Sequence, residues 1–377
     1  MKKKNEKIKL LFRIGYAYHK AAFDPVIEYL MNNDKYDVWF SLDMEKKRYF
    51  IFDVPYQNPI IEEWKKLGYR FTTETRGFDI VISGDTLRNA KEYGKTLLVF
   101  LNHGTGIKNI LYRNLRKVPN DKYQIFVEGP HRVQSLQNSP WLRKNEVHLI
   151  GLPKLDFYFQ GRYNNRAELL EKWGLDPRRK TLLYAPTYKP TSLYTVRDDI
   201  FEQTRDLNLI VKLHPYSWMG KYAPHRQHRI YERRVKKYHH AVLLPFSEYN
   251  IVPYYAVADV VMSEASSTVF DFLAFEKFGI IYDLPGDRLK HSDGQPLLEI
   301  DNREFLKEAF VHIQSGNQIR DAFEQCVNPT QEMIARANEY RQRYFYRLDG
   351  MATQRLVMKM EELYYEGGHE NVPGEKD

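Results

Sequence analysis

Short runs of apolar residues, rich in β-branched and aromatic side chains, recur along the first 150 positions of the chain. Such runs predict β-strands, and they cover residues 8–16, 36–42, 78–83, 96–101, 123–127 and 147–150. Segments with the helical spacing of apolar residues, at 21–31 and 59–67, lie between some of them. Strands that alternate with helices predict crossover connections and a mainly parallel sheet.

The same pattern then occurs a second time. Predicted strands cover residues 180–184, 207–213, 241–244, 258–262 and 278–283, and beyond Asn302 the pattern is helical and charged up to about Tyr365. We therefore predict an α/β protein of two doubly wound, Rossmann-like domains that face each other across a cleft. The predicted divisions are 1–155, 156–345, a C-terminal helix at 346–366 and a disordered Gly/Glu-rich tail at 367–377.

Composition narrows the class of protein. A chain of 377 residues with 43% hydrophobic and 28% charged residues is globular and long enough for two cores. One cysteine, Cys326, excludes a disulfide framework and favours a reducing compartment, the cytoplasm. No apolar stretch approaches the roughly 20 residues that span a bilayer, so any membrane contact is expected to be peripheral. The net charge of +8 favours a polyanionic partner: nucleic acid, an anionic membrane face or a phosphorylated substrate.

One strand end has the pattern of an anion site. An apolar strand ending near Met262 is followed by Ser266, Ser267 and Thr268 and then by a helical pattern that contains Asp271. Hydroxyls at this position can cap the helix, and its unpaired N–H groups face the strand end, so phosphate is the favoured ligand. The alternative is an ordinary helix cap without a ligand. Asp271 is a candidate for accepting a hydrogen bond from a ribose hydroxyl, or simply an acid near a helix start.

Two other strand ends carry a histidine. His103 precedes a glycine-rich turn with Gly104 and Thr105, and its imidazole suits a general base that takes a proton from an alcohol. Lys212 and His214, two residues apart, are expected on the same face of a strand end. This pair suits a diphosphate whose charge grows as a nucleotide leaves. The alternatives are a histidine packed in the core and a solvated lysine.

Two more segments extend this prediction. Thr187 and Lys189 follow another strand and are candidate donors to the same site, although the segment is otherwise a proline-rich turn. The helix predicted at 107–117 carries Lys108 among several basic residues, and we expect it either to hold an anionic lipid-linked acceptor or to be an ordinary surface helix. No Asp-x-Asp pattern is present, so we expect no metal and no cofactor.

Five segments, in this order, resemble the CDP-glycerol glycerophosphotransferase family, the teichoic acid primases and polymerases of bacterial envelopes. They are His103-Gly-Thr-Gly-Ile-Lys108, Gly151-Leu-Pro-Lys-Leu-Asp156, Tyr184-Ala-Pro-Thr-Tyr-Lys189, Lys212-Leu-His-Pro215 and Glu264-Ala-Ser-Ser-Thr-Val-Phe-Asp271. The resemblance covers roughly residues 95–290 and depends on the order of the motifs as much as on any one of them.

The resemblance implies the GT-B fold, with the acceptor on the first domain and the nucleotide on the second. It implies that His103 is the catalytic base, that His214 is the second essential histidine, and that Ser266, Ser267 and Thr268 hold the diphosphate. The partners that it implies are CDP-glycerol and a lipid-linked glycan acceptor at the inner face of the cell membrane. The short chain is similar to a primase that adds one unit.

The sequence departs from the family pattern at two places. Lysines 154 and 189 stand where the family has arginine, which loses bidentate phosphate contact, and Glu264-Ala265 replaces Asp-Tyr. These changes leave other donors open, namely CDP-ribitol or a nucleotide sugar. A basic protein that binds RNA or lipid is the third possibility, but the chain lacks the sequence signatures of RNA-binding modules, so no nucleic-acid partner is expected.

Overall fold

The structure is a computed structural model. It describes residues 6–15, 17–42, 46–49, 52–55, 59–87, 93–102, 104–105, 111–112, 115, 122–140, 142, 144–218, 226–285, 290, 294, 298 and 304–367. The predicted sites at His103 and Lys108, most of the basic helix at 107–117 and all but the first residue of the tail lie outside these residues.

The first half of the chain forms a parallel sheet of six strands. In chain order they are β1 (Ile8–Ile14), β2 (Tyr36–Leu42), β5 (Ile80–Ser83), β6 (Leu97–Leu101), β7 (Tyr123–Val127) and β8 (Glu146–Leu149), arranged as β2-β1-β5-β6-β7-β8. An antiparallel hairpin of β3 (Lys46–Tyr49) and β4 (Phe52–Pro55) follows β2. The helices are α1 (Ala17–Met31), α2 (Pro59–Lys66) and α3 (Pro130–Gln137).

The second half repeats this plan. Its strands are β9 (Thr181–Tyr184), β10 (Asn208–Val211), β11 (Ala241–Leu243), β12 (Val260–Ser263), β13 (Gly279–Tyr282) and β14 (Val311–Ile313), all parallel, in the order β11-β10-β9-β12-β13-β14. The helices are α4 (Asp156–Phe159), α5 (Arg166–Lys172), α6 (Asp199–Glu202), α7 (Gln227–Val235), α8 (Val252–Val257), α9 (Ser267–Leu273), α10 (Ile319–Val327), α11 (Gln331–Tyr344) and α12 (Ala352–Glu366). The predicted α/β class with two parallel sheets is confirmed.

The central strands β5, β9, β10, β12 and β13 are buried along their whole length because both faces of each sheet are covered there. In β10, for example, Leu209, Ile210 and Val211 all have 0% exposure. Parallel sheets with crossover helices on both faces bury successive residues in this way, whereas a sheet with one solvated face would show alternation. This is why continuous apolar runs located the central strands correctly.

Two features differ from the pattern predicted along the chain. The sequence predicts a helical segment after Asn302, yet Val311–Ile313 forms β14 and pairs with β13. Three residues are too few to show a strand period, so the edge of the sheet decides their conformation rather than their local pattern. The hairpin β3–β4 is not predicted by the sequence pattern either.

The C-terminal helix α12 returns to the first half. Leu356, Val357 and Met360 on α12 pack in the same apolar cluster as Leu10 and Phe12 of β1. Asp156, which lies between the two sheets in the chain, holds the start of α12. Its carboxylate accepts hydrogen bonds from the backbone N–H groups of residues 352 and 353 at 3.1 and 2.7 Å. The predicted domain boundaries stay a prediction.

The strand order of the second sheet reverses direction between β9 and β12, the topological switch point where ligands bind in open α/β sheets. The segments that leave the carboxyl ends of these two strands are 185–192 and 264–266, both singled out in the sequence. In the described part of the chain, no helix is long and apolar enough to cross a membrane.

Candidate active site

Three of the five motifs meet at one buried carboxylate, that of Asp271 on α9. Its Oδ2 accepts a hydrogen bond from Lys154 Nζ at 2.5 Å, and its Oδ1 accepts one from the backbone N–H of Thr105 at 3.2 Å. The Asp271 side chain has 0% exposure, and a charged pair interacts more strongly in such a low-dielectric position. Both oxygens are thus engaged within the chain, and the contact of Asp271 with a ribose hydroxyl stays a prediction.

The turn after β6 lies directly against the start of α9. A Cβ atom on Gly104 would be 3.3 Å from Ser267 Cβ and 3.4 Å from Ser267 Oγ, so glycine permits this close approach. The neighbouring Thr105 is 2% exposed, and its hydroxyl has no hydrogen-bond partner among the described residues. The strand-end loops of the two sheets therefore meet, as the sequence predicted. His103 itself directly precedes Gly104 in the chain.

A buried polar network holds this turn. Asn102 Nδ2 donates to Gly104 O at 2.9 Å and to Glu128 Oε2 at 2.7 Å. Glu128 is 3% exposed, and its other oxygen accepts from Arg132 Nε at 3.2 Å. The sequence reasoning missed these residues, although Glu128 follows β7 and is itself a polar strand end next to β6.

Lys212 follows β10 and is 9% exposed, with no side-chain hydrogen bond or ion pair to any residue that the structure describes. The pKa of Lys212 is lowered to about 8, mainly by burial; the charge of Glu248 opposes this shift and the charge of Lys154 adds to it. A second lysine, Lys277, is partly buried and also has a pKa lowered to about 8, mainly by burial. Lys277, however, donates to three backbone carbonyls near the end of α8, at 2.7 to 3.1 Å.

This contrast makes Lys212 a candidate contact for an anion. An ammonium group removed from water normally has hydrogen-bond acceptors from the protein, as the partly buried Lys277 does, because burying an unpaired charge is costly. Lys212 lies at the carboxyl end of β10, next to the switch point of the sheet, and its charge is available to a ligand. A phosphate group would supply the acceptors that the described protein atoms do not.

His214 has a defined orientation. Its Nδ1 accepts a hydrogen bond from the backbone N–H of Tyr216 at 3.1 Å, so in the neutral ring the proton is on Nε2. The ring packs against the ring of Tyr188, with 4.6 Å between centroids. A neutral His214 is therefore prepared to donate from Nε2, which suits an oxygen on a departing phosphate rather than the acceptance of a proton at that nitrogen.

Glu264, one of the two departures from the family motif, faces into the protein. Its carboxylate accepts hydrogen bonds from Thr187 N at 2.6 Å, and from Ser192 N and Ser192 Oγ, each at 2.5 Å. Burial raises the pKa of Glu264, and these hydrogen bonds oppose the rise. The carboxylate thus fixes the 187–192 loop, which carries Tyr188 against His214.

The serine cluster differs in detail from the prediction. Ser266 is the N-cap residue of α9, but its hydroxyl makes no capping hydrogen bond and lies instead 3.1 Å from Ser263 Oγ. Ser263 in turn donates to Ala185 O at 2.6 Å. Because the Ser266 hydroxyl bonds to Ser263 at the end of β12, the expectation that it caps the helix is wrong. Ser267 and Thr268 lie in the first turn of α9 and are partly exposed.

Two other predicted residues, Thr187 and Lys189, lie in the loop after β9. The Thr187 hydroxyl donates to Pro190 O, and Lys189 is exposed, with no side-chain hydrogen bond or ion pair to the described part of the site. Their roles in binding a substrate stay predictions. Among the residues that the structure describes, no group of three or more His, Cys, Asp or Glu side chains is placed to hold a metal ion.

Comparison with known proteins decides the family. Residues 26–362 match the family described as CDP-Glycerol:Poly(glycerophosphate) glycerophosphotransferase. The chain belongs to this family. The family resemblance and the transferase class predicted from the motifs are confirmed. A search of the curated proteins finds no match.

Solved structures show the same fold. The wall teichoic acid polymerase TagF has a TM-score of 0.67 and 14% identity, covering 97% of this chain and 91% of that one. A TagF histidine variant soaked with CDPG has a TM-score of 0.68 and 13% identity, covering 97% and 90%. HepE of Anabaena, solved in complex with UDP-glucose, has a TM-score of 0.51 and 11% identity, covering 96% and 99%. The predicted GT-B fold is confirmed.

Proposed function

We propose that this glycerophosphotransferase moves glycerol phosphate from CDP-glycerol to a hydroxyl of a lipid-linked glycan acceptor in the synthesis of teichoic acid or a related envelope polymer. The observation that carries the proposal is Lys212, a buried cation at the switch point without a partner among the described residues. A diphosphate is a ligand of the right charge for it. The similarity to TagF, whose histidine variant was soaked with CDPG, supports the same donor.

In the proposed reaction the acceptor oxygen attacks the phosphorus that carries the glycerol. A new P–O bond forms to the acceptor, the anhydride P–O bond breaks, and its electron pair leaves with CMP. His103 takes the acceptor proton, and its position next to Gly104 supports this role because Gly104 contacts Ser267 at the start of α9. The chemistry then depends mainly on positioning and charge stabilisation.

Lys212 and His214 stabilise the departing CMP in this scheme. Lys212 supplies a positive charge, and the Nε2 proton of His214 is oriented by the hydrogen bond at Nδ1. Donors that are fixed before the reaction need no reorganisation as charge develops. Ser267 and Thr268 add hydroxyl and backbone donors in the first turn of α9. Thr187 and Lys189 complete the proposed substrate contacts among the described residues, and Lys108 stays a contact predicted from the sequence.

The acceptor and the cellular position belong to the same proposal. We infer a primase-like addition of one unit, on the cytoplasmic side, by an enzyme that associates with the inner membrane face through its basic surface. The net charge of +8 supports an anionic membrane partner. Nucleic acid is not among the proposed partners.

A different donor is the second candidate. Lys154 and Glu264 stand at the two departures from the family motifs, and both are engaged within the protein. Selection of the donor alcohol must then depend on other groups, which leaves CDP-ribitol or a nucleotide sugar as alternatives.

The test is mass spectrometry of products from purified protein with a short lipid-linked acceptor and each donor in turn. We expect CMP release and an acceptor heavier by one glycerol phosphate with CDP-glycerol, and much slower transfer from CDP-ribitol or UDP-glucose. The matched variants are Lys212→Met and Lys277→Met, since only the first lysine has its charge available for a ligand. Preference for a uridine donor, or equal loss of activity in both variants, contradicts the proposal.

A further inference from the structure

Helix α7 and the turn after it form a strongly basic surface in the second half of the chain. Residues 226–240 contain six lysines and arginines and one acidic residue, Glu232, giving a net charge of +5 in 15 positions. The whole chain of 377 residues has a net charge of only +8. Positive charge is therefore concentrated here, in a segment that the proposed chemistry does not use.

Five of these cations lie on the helix or at its ends and are here called the basic stripe: Arg226, Arg229, Arg233, Lys236 and Lys237. All five are exposed, and none forms an ion pair with a side chain in the described part of the protein. Arg229 and Arg233, four positions apart, lie on one side of α7. Arg226 is the N-cap residue of the helix, Lys236 is its C-cap residue, and Lys237 is the next residue in the chain. The opposite face is buried through Gln227 and Tyr231.

The basic stripe begins beside the candidate active site. Gln227 Nε2 donates to Tyr188 O at 2.8 Å, and Gln227 Oε1 accepts from Ser217 Oγ at 2.7 Å. Tyr188 is the residue that packs on His214. At 1.5 Å per residue, the nine residues of α7 extend about 14 Å away from that end, with Arg229 and Arg233 about 6 Å apart along the helix axis.

We propose that the basic stripe binds the phosphodiester backbone of a polyol-phosphate chain that extends from the active site. The inference rests on the proposed function and goes beyond it: besides adding a first unit, the enzyme also extends an acceptor chain that already carries several transferred units. A row of cations suits a flexible polymer with one negative charge in each repeat, and arginine binds phosphate oxygens through two parallel hydrogen bonds.

The geometry of α7 favours a polymer over a membrane surface as the ligand. A helix that lies in a membrane interface inserts an apolar face among the lipids. The apolar side of α7 is instead packed inside the protein through Tyr231, and Trp218 stacks on His228 with 5.0 Å between centroids. Only the charged face is available, and it supplies electrostatic contacts alone.

The experiment compares Arg229→Glu/Arg233→Glu with Lys95→Glu/Lys144→Glu in the full-length protein. Lys95 and Lys144 are exposed and precede β6 and β8, at the opposite end of the first sheet. The probe is a lipid-free, fluorescently labelled glycerol-phosphate oligomer of about ten units, and anisotropy gives its Kd at several salt concentrations. Transfer is measured to acceptors with one unit and with about ten units.

We expect the stripe variant to bind the oligomer at least about tenfold more weakly, with a flatter dependence of log Kd on log salt, while the control pair binds like the wild type. The kcat/KM of the stripe variant, Arg229→Glu/Arg233→Glu, falls for the long acceptor and stays unchanged for the one-unit acceptor. Equal oligomer binding by both variants overturns the proposal, as does a stripe variant that loses only binding to phosphatidylglycerol vesicles. Failure of the wild type to release CMP from CDP-glycerol would contradict the proposed function. Oligomer binding is measured without a donor, so it tests the role of the basic stripe independently of the transfer reaction.

Discussion

Replacing Lys212 by methionine should stabilise the ligand-free protein and weaken donor binding at the same time. Methionine keeps most of the side-chain volume and removes the charge. Burial lowers the pKa of Lys212 from 10.5 to about 8, and a pKa difference of one corresponds to about 1.4 kcal/mol. Keeping Lys212 charged at pH 7 therefore costs the folded protein up to about 3 kcal/mol. Loss of a charge-assisted contact to phosphate should raise the Kd of CDP-glycerol by about 10- to 100-fold.

The pH dependence gives a second, independent readout. Because the folded pKa lies below the unfolded one, the unfolded protein binds more protons between about pH 8 and 10.5. The stability of the wild type should rise relative to Lys212→Met over this interval, and the difference should be constant below about pH 8. Donor affinity of the wild type should fall above about pH 8, as Lys212 loses its proton, and this slope should be absent in Lys212→Met.

The assays are urea denaturation of the ligand-free protein at several pH values and calorimetric titration with CDP-glycerol. Lys277→Met is the control: it removes three hydrogen bonds to backbone carbonyls, so it should destabilise the protein and leave the Kd of CDP-glycerol unchanged. A Lys212→Met protein that is less stable at pH 7, or that binds the donor as tightly as the wild type, would contradict the ligand-binding role of Lys212.

Three further changes test the packing around the site. Gly129→Ala should destabilise the protein by about 3 kcal/mol, because a Cβ there would lie 2.0 Å from the backbone oxygen of Tyr344 at the end of α11. The control is Gly174→Ala: Gly174 has a φ of 69° and no atom within 4 Å of an added Cβ, so the change should cost only about 1 kcal/mol. Urea denaturation measures both changes in stability. Glu264→Gln presents an amide N–H to backbone N–H donors, so the melting temperature should fall and kcat/KM should drop about tenfold; unchanged kinetics would contradict the positioning role. Asp271→Asn leaves Lys154 unpaired and should cost about 3 kcal/mol, most of which Lys154→Met should recover in a double-mutant cycle; simple additivity would exclude the coupling.

The sequence predicts the central strands well because their continuous apolar runs correspond to residues that are buried on both faces of the sheet in the structure. It also predicts that polar strand ends from both halves come together, as Gly104 against Ser267 confirms. It fails where a residue's role depends on which neighbour is within reach. Glu264 and Lys154 look like ligand contacts in the motifs, but each finds its partner inside the protein.

Other parts of the site could not be predicted for a related reason. Lys212 differs from Lys277 in being buried without a partner among the described residues, and this property depends on three-dimensional packing and leaves no mark in the local sequence. The same holds for the strand at 311–313, which forms because the edge of β13 accepts it.

A crystal structure of the protein with CDP-glycerol would show directly whether Lys212 and His214 bind the donor. We expect the diphosphate at the carboxyl ends of β9 and β12, with an oxygen within hydrogen-bond distance of Lys212 Nζ and another near His214 Nε2. A nucleotide bound elsewhere on the protein, with Lys212 still unpaired, would contradict the proposed site.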